Sequence, residues 1–93
     1  GGVSGAVAEL GVRRAHCEQL WGQNDIPNLR RSARSLCAIA EQIGMTAMAG
    51  IARDVTEAID TDDQAAVAAT LFRLLRVGER SLTAVWEQQD LSV

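Results

Sequence analysis

Apolar residues recur along this chain at helical spacing, in four blocks separated by short polar turns. The clearest block is Leu29, Ala33, Leu36, Ala40 and Ile43, which follow i, i+4, i+7, i+11 and i+14 and so share one helix face. Val3, Val7, Leu10, Cys17, Leu20 and Trp21 lie near a similar stripe, which Gly11 and the pair Arg13-Arg14 weaken. A third inner face reads Met48, Ile51, Ala52, Val55 and Ile59. The fourth reads Ala68, Leu71, Phe72, Leu75, Leu82, Val85 and Trp86, with Gly78 marking a close helix contact or a slight bend. No strand pattern competes with these blocks.

The turns carry their own signals. Gly22-Gln23-Asn24-Asp25 is turn chemistry. Asp25 is placed to cap the second helix, because its carboxylate can accept from free amides of the first turn. Pro27 then falls in that first turn, where a missing N–H does no harm. Gly44 is suited to a left-handed stop. Thr46 is expected to cap the third helix, and Thr61-Asp62-Asp63-Gln64 fits a capping box before the fourth. The predicted helices cover about residues 4–21, 26–43, 46–59 and 62–88. Short connections make neighbouring helices antiparallel. The expected architecture is all-α, an up-down-up-down antiparallel four-helix bundle spanning residues 1–93 as one domain.

Composition narrows the function classes. The apolar fraction of 47% is ordinary for a globular protein and excludes a disordered chain. Only Trp21, Phe72 and Trp86 are aromatic, and alanine, leucine and valine dominate the apolar set, which favours helices. Net charge is −3 and all nine basic residues are arginine, which gives no general case for nucleic-acid binding. The lack of lysine hints at a GC-rich genome. No apolar run approaches a membrane span and no signal-peptide pattern is evident, so a cytoplasmic location is expected. The Gly1-Gly2 start, without an initiator Met, suggests a domain cut from a longer chain or a cloning scar. Cys17 and Cys37 lack metal-type spacing and read as free thiols. His16 and Cys17 are adjacent and diverge on a helix, so no metal site is expected, and no cofactor. Asp54, Glu57, Asp60, Asp62 and Asp63 form an acidic end without calcium-loop spacing. The sequence offers no base partner for Ser4, Ser32, Ser35 or Ser81, and a triad is not expected with one histidine.

The segment Ala33-Arg34-Ser35-Leu36-Cys37-Ala38-Ile39-Ala40-Glu41-Gln42-Ile43-Gly44 resembles the signature helix of histidine phosphotransfer (HPt) domains. That helix reads Ala-His-x-Leu-Lys-Gly, then a small-residue stretch, then a glycine near its end. Ala33, Leu36, Ala40 and Gly44 match the alanine, the leucine, a small core position and the terminal glycine. Met48, Ala49, Ile51 and Ala52 resemble the family's next helix, Asp60-Thr61-Asp62-Asp63 its acidic turn, and Asn24-Asp25 with Leu29 and Arg30 its lead-in. The resemblance covers about residues 15–88.

The departures fall on the chemistry. Arg34 stands where the resemblance places the phosphorylated histidine, Cys37 replaces the usual lysine, and Ala38 the glycine. A guanidinium stays protonated at physiological pH and is a poor nucleophile. Glu41, one turn or two beyond on the same face, repels an incoming phosphoryl group. The resemblance therefore implies a non-catalytic phosphorelay module, whose partner is a receiver domain or a histidine kinase. Its expected docking surface is Arg30, Arg31, Arg34, Ala38, Glu41 and Gln42, with Arg34 offering forked donors to carboxylates. Two alternatives are an active phosphotransferase using His16, and a structural domain that oligomerises through Val77, Leu91 and Val93. A thiol switch at Cys37, favoured by the charge of Arg34, is a further candidate.

Overall fold

In the computed structural model the backbone is described for residues 3–91, and side chains for residues 5–78 and for Arg80. Four α-helices follow one another: α1 (Val3–Gly22), α2 (Ile26–Gln42), α3 (Thr46–Asp60) and α4 (Gln64–Leu91). They pack as an antiparallel up-down-up-down bundle in which α2 and α3 form the central hairpin and α1 and α4 meet across the other side. No strand occurs among the described residues.

The core is built from the stripes that the periodicity marks. Leu29, Ala33, Leu36 and Ala40 of α2 are completely buried, and Ile43 packs against them from the end of the helix. From α1 come Val7, Leu10, Cys17 and Leu20, and from α3 Met48, Ile51, Ala52 and Val55, joined by Ala49 and Ala58. Val3, Leu82, Val85 and Trp86 lie outside the described side chains. One assignment in α4 is corrected. Phe72 is 55% exposed, whereas Val67 and Leu74 are buried with Leu71 and Leu75. The inward set Val67, Leu71, Leu74, Leu75 and Gly78 keeps i, i+4, i+7, i+8, i+11 spacing. Phe72 falls off that arc, beside it in sequence but away from it in space.

All three connections share one geometry. A residue in the left-handed region ends each helix: Asn24 (φ 56°), Gly44 (φ 79°) and Asp62 (φ 56°). In each, this residue's N–H bonds a carbonyl three residues back, and the next N–H bonds one five back: Asp25 to Leu20 at 2.9 Å, Met45 to Ala40 at 2.8 Å, Asp63 to Ala58 at 3.2 Å. This is the Schellman pattern, and it satisfies carbonyls that a helix end leaves open. The following residue opens the next helix. Asp25 does so as expected, accepting from the Asn28 amide at 3.4 Å and from its side chain at 2.8 Å.

Two caps differ from expectation. The Gly44 stop places Met45, not Thr46, at the start of α3, where no side chain caps the helix. The left-handed residue of the third turn is Asp62, so α4 begins after Asp63, whose Oδ1 accepts from the Ala66 amide at 3.1 Å. Thr61 instead closes α3, its hydroxyl donating to the Ala58 carbonyl at 3.0 Å. The Thr61–Gln64 capping box therefore does not form.

At Gly78, α4 approaches α3 and α1 closely. A Cβ there would lie 3.0 Å from Met48 Cε of α3 and 3.2 Å from Arg14 Cδ of α1. Arg14 lies in the same seam and donates from Nε to the Leu75 carbonyl at 2.9 Å, which explains why a charged residue interrupts the α1 stripe. Because Gly78 sits level with the first turn of α3, the remainder of α4 runs past the α2–α3 turn. The bundle is accordingly elongated, 46 × 20 × 19 Å.

Candidate functional site

The expected docking residues lie on the outer side of α2, where its buried stripe forces the intervening positions outward. Arg31, Arg34, Ala38, Glu41 and Gln42 are exposed, and Arg30 is half-buried. Geometry divides the set. Arg34, Ala38 and Glu41 line an open groove between α2 and α3, together with Cys37, Arg53 and Thr56. Arg31 and Gln42 are not part of its lining.

Arg30 is committed elsewhere. Its Nε and Nη2 donate to the two carboxylate oxygens of Asp60 at 2.7 and 3.1 Å, a fork that ties α2 to the end of α3. The guanidinium hydrogen bond holds the Asp60 carboxyl below the usual carboxylate value, and the charges of Arg30 and Arg34 add to this. Arg34 makes no hydrogen bond or ion pair with a described residue, so its fork faces solvent at the lip of the groove.

Across the groove, Arg53 donates to Glu41 Oε1. The same oxygen lies 3.5 Å from the Cys37 thiol, which is placed to donate to it. Burial, the hydrogen bond to Glu41 and the charge of Glu41 push the Cys37 thiol up, against the weaker opposite pull of Arg53. The alternative of a thiol activated by Arg34 finds no support in this geometry: the charged group in contact with Cys37 is Glu41, which opposes ionisation. The groove residues that periodicity did not single out are Arg53 and Thr56. Both come from α3, and the signal for Arg53 was an opposite charge available on the facing helix of an antiparallel hairpin.

His16 belongs to another contact. Its Nδ1 lies 3.4 Å from Ser32 Oγ across the α1–α2 seam. Ser32 therefore does have a histidine neighbour, contrary to expectation. Ser32 is 2% exposed, so a substrate cannot reach its hydroxyl. Burial dominates at Cys17 and pushes its thiol up, with Ser32 and Arg13 acting in the opposite sense. Val77, an oligomer contact in the structural-domain alternative, is partly buried against the core, while the side chains of Leu91 and Val93 lie outside the described residues.

Two other concavities are smaller or simpler. Trp21, Ile26, Ile59 and Val67 wall a cavity of about 90 Å³ at the acidic end. Arg73, Arg76, Val77 and Arg80 form a basic ridge on the outside of α4. Among the described residues no three His, Cys, Asp or Glu side chains converge as a metal site, and no helix is long and apolar enough to cross a membrane.

Compared with known proteins, the chain matches no family model, no curated protein and no solved structure.

Proposed function

We propose that this chain is a non-catalytic, HPt-like interaction module of bacterial two-component signalling, docking a receiver or histidine kinase domain through α2. The observation that carries the reading is Arg34. It stands on α2 where the resemblance places the phosphoacceptor, it is exposed, and its guanidinium is uncommitted among the described residues, unlike those of Arg30 and Arg53. An arginine there offers fixed charge and paired donors to an acidic pocket, and has no lone pair with which to take a phosphoryl group. The role is docking or competitive inhibition, not transfer.

The test is a binding screen of the whole chain against the receiver and kinase domains of its own organism. Micromolar binding is expected, weakened about tenfold or more in Arg34→Ala. Acid-labile phosphate accepted by Arg34→His in the presence of an autophosphorylating kinase supports the ancestry. Equal affinity of wild type and Arg34→Ala for every partner found, or no partner at all, overturns the reading.

A further inference from the structure

The core of the bundle is left open at the end where the α1–α2 and α3–α4 turns meet. One apolar side chain from each helix reaches the opening: Trp21 from α1, Ile26 from α2, Ile59 from α3 and Val67 from α4. Val67 is buried, whereas Trp21, Ile26 and Ile59 pack against the core and stay half-buried. Between them lies the cavity of about 90 Å³, rimmed by Asn24, Asp62, Asp63 and Gln64. We infer that this cavity binds a small organic cation, with an ammonium group at the carboxylate rim and a short apolar body inside.

The walls set the size of the body. The volume is about three times the liquid volume of one water molecule, which suits a chain of about three or four carbons. Such a chain also covers the half-exposed faces of Trp21, Ile26 and Ile59, and that burial supplies most of the affinity. Binding sites between the helices of a bundle are commonly of this kind, apolar walls with a few polar groups at the mouth.

Charge sets the head group. Two helices end here and two begin, so their dipoles oppose one another and leave the formal charges in control. The formal charges of the lining are of one sign, because Asp62 and Asp63 line the cavity and no arginine does. The Asp62 carboxylate makes no hydrogen bond or ion pair with a described residue, and Asp63 commits only Oδ1, to the Ala66 amide. The Trp21 indole adds an electron-rich wall of the type that attracts organic cations. An anion is repelled by this rim and finds arginines instead at the α2–α3 groove and the α4 ridge. A metal ion gains little, since among the described residues no three ligating side chains converge and the apolar walls go unused. The cavity shares no residue with the expected docking surface on α2.

The test titrates the isotope-labelled chain with n-butylammonium, n-butanol and butyrate, three probes with a four-carbon body, at constant ionic strength and neutral pH. The Trp21 indole N–H and the methyl groups of Ile26, Ile59 and Val67 are followed by NMR. Butylammonium is expected to move all four residues saturably in the millimolar range. Its affinity is expected to exceed that of butanol about fivefold, with butyrate weaker than both. Asp62→Asn with Asp63→Asn removes the charge and keeps the shape. Asparagine is accepted at a left-handed turn residue and at a helix start, so this variant folds. Its preference for butylammonium over butanol is expected to narrow to about twofold, the part left to Trp21. Glu9→Gln, near the opposite end of α1, is expected to keep the full preference.

Equal affinity for butylammonium and butanol in the wild type overturns the proposal. So does a preference unchanged in the double asparagine variant, or one narrowed as much by Glu9→Gln, which marks net charge rather than a site. Ammonium chloride that moves the four residues as butylammonium does also overturns it, because the apolar body then contributes nothing.

Discussion

Arg30 and Asp60 close the α2–α3 hairpin with a two-pronged ion pair, Nε to Oδ1 at 2.7 Å and Nη2 to Oδ2 at 3.1 Å. The pair is on the surface, so its contribution is modest and screened by salt. Its sign with pH is definite. The Asp60 carboxyl is lowered from its usual 3.8, so the pair stabilises the fold above that value. The contribution is lost as pH falls through the lower, folded-state value. Asp60→Asn should melt below wild type at pH 7 in low salt. The difference should shrink in high salt and vanish in strong acid. A melting series across pH and salt checks this.

Cys17 and Cys37 make the opposite prediction. Both thiols are pushed above the usual 9.0, in each case mainly by burial. An unfolded thiol ionises first, so stability is full below about pH 9 and falls as pH rises toward the folded-state values. Replacing both cysteines by alanine should flatten the alkaline limb of the stability curve, measured by urea denaturation between pH 7 and 10.5. An equally steep limb in the double variant assigns it to other groups.

Gly78 separates two effects of a methyl group. Alanine gains about 1 kcal/mol of helix propensity but presses on Met48 Cε, the mobile end of a side chain, and on Arg14 Cδ, which the Nε hydrogen bond to the Leu75 carbonyl holds in place. Gly78→Ala should therefore lie within about 1 kcal/mol of wild type. Gly78→Val adds a branched side chain to the same seam and should lose about 2 kcal/mol or more. Chemical denaturation of the pair measures the clearance between α1, α3 and α4.

The three left-handed turn residues predict a matched set. Asn24→Gly and Asp62→Gly each relieve a side chain held at φ 56° and should stabilise by about 0.5 kcal/mol. Gly44→Ala forces a Cβ into φ 79° with no steric neighbour, so its loss of about 1 kcal/mol measures backbone strain alone. Thermal and urea unfolding of the three variants gives the comparison.

Much of the fold was legible because burial follows a 3.6-residue period. Leu29, Ala33, Leu36 and Ala40 announce their face by spacing, and Gly44 and Asp25 announce the ends of their helices by backbone and side-chain chemistry. Where two readings were locally equal, the sequence misled. Leu71-Phe72 and Leu74-Leu75 permit more than one inward arc, and only packing against α1 and α3 selects the arc that leaves Phe72 outside. Thr46 and Thr61 are good caps by residue type. The left-handed residues of the turns nevertheless shift each helix start, to Met45 and Asp63 respectively.

For the candidate site, the sequence alone determined that Arg34 faces outward and is an arginine, which settles its charge and its lack of nucleophilicity whatever surrounds it. Tertiary structure decided which charges are already committed. Arg30 and Arg34 look alike one turn apart on α2. They differ because Asp60 comes from another helix to meet one and not the other. Arg53 joins the groove, and Glu41 turns from a repelling neighbour into a bound counter-ion, for the same reason. Ion pairs between helices depend on separations in space that periodicity along a single helix does not contain.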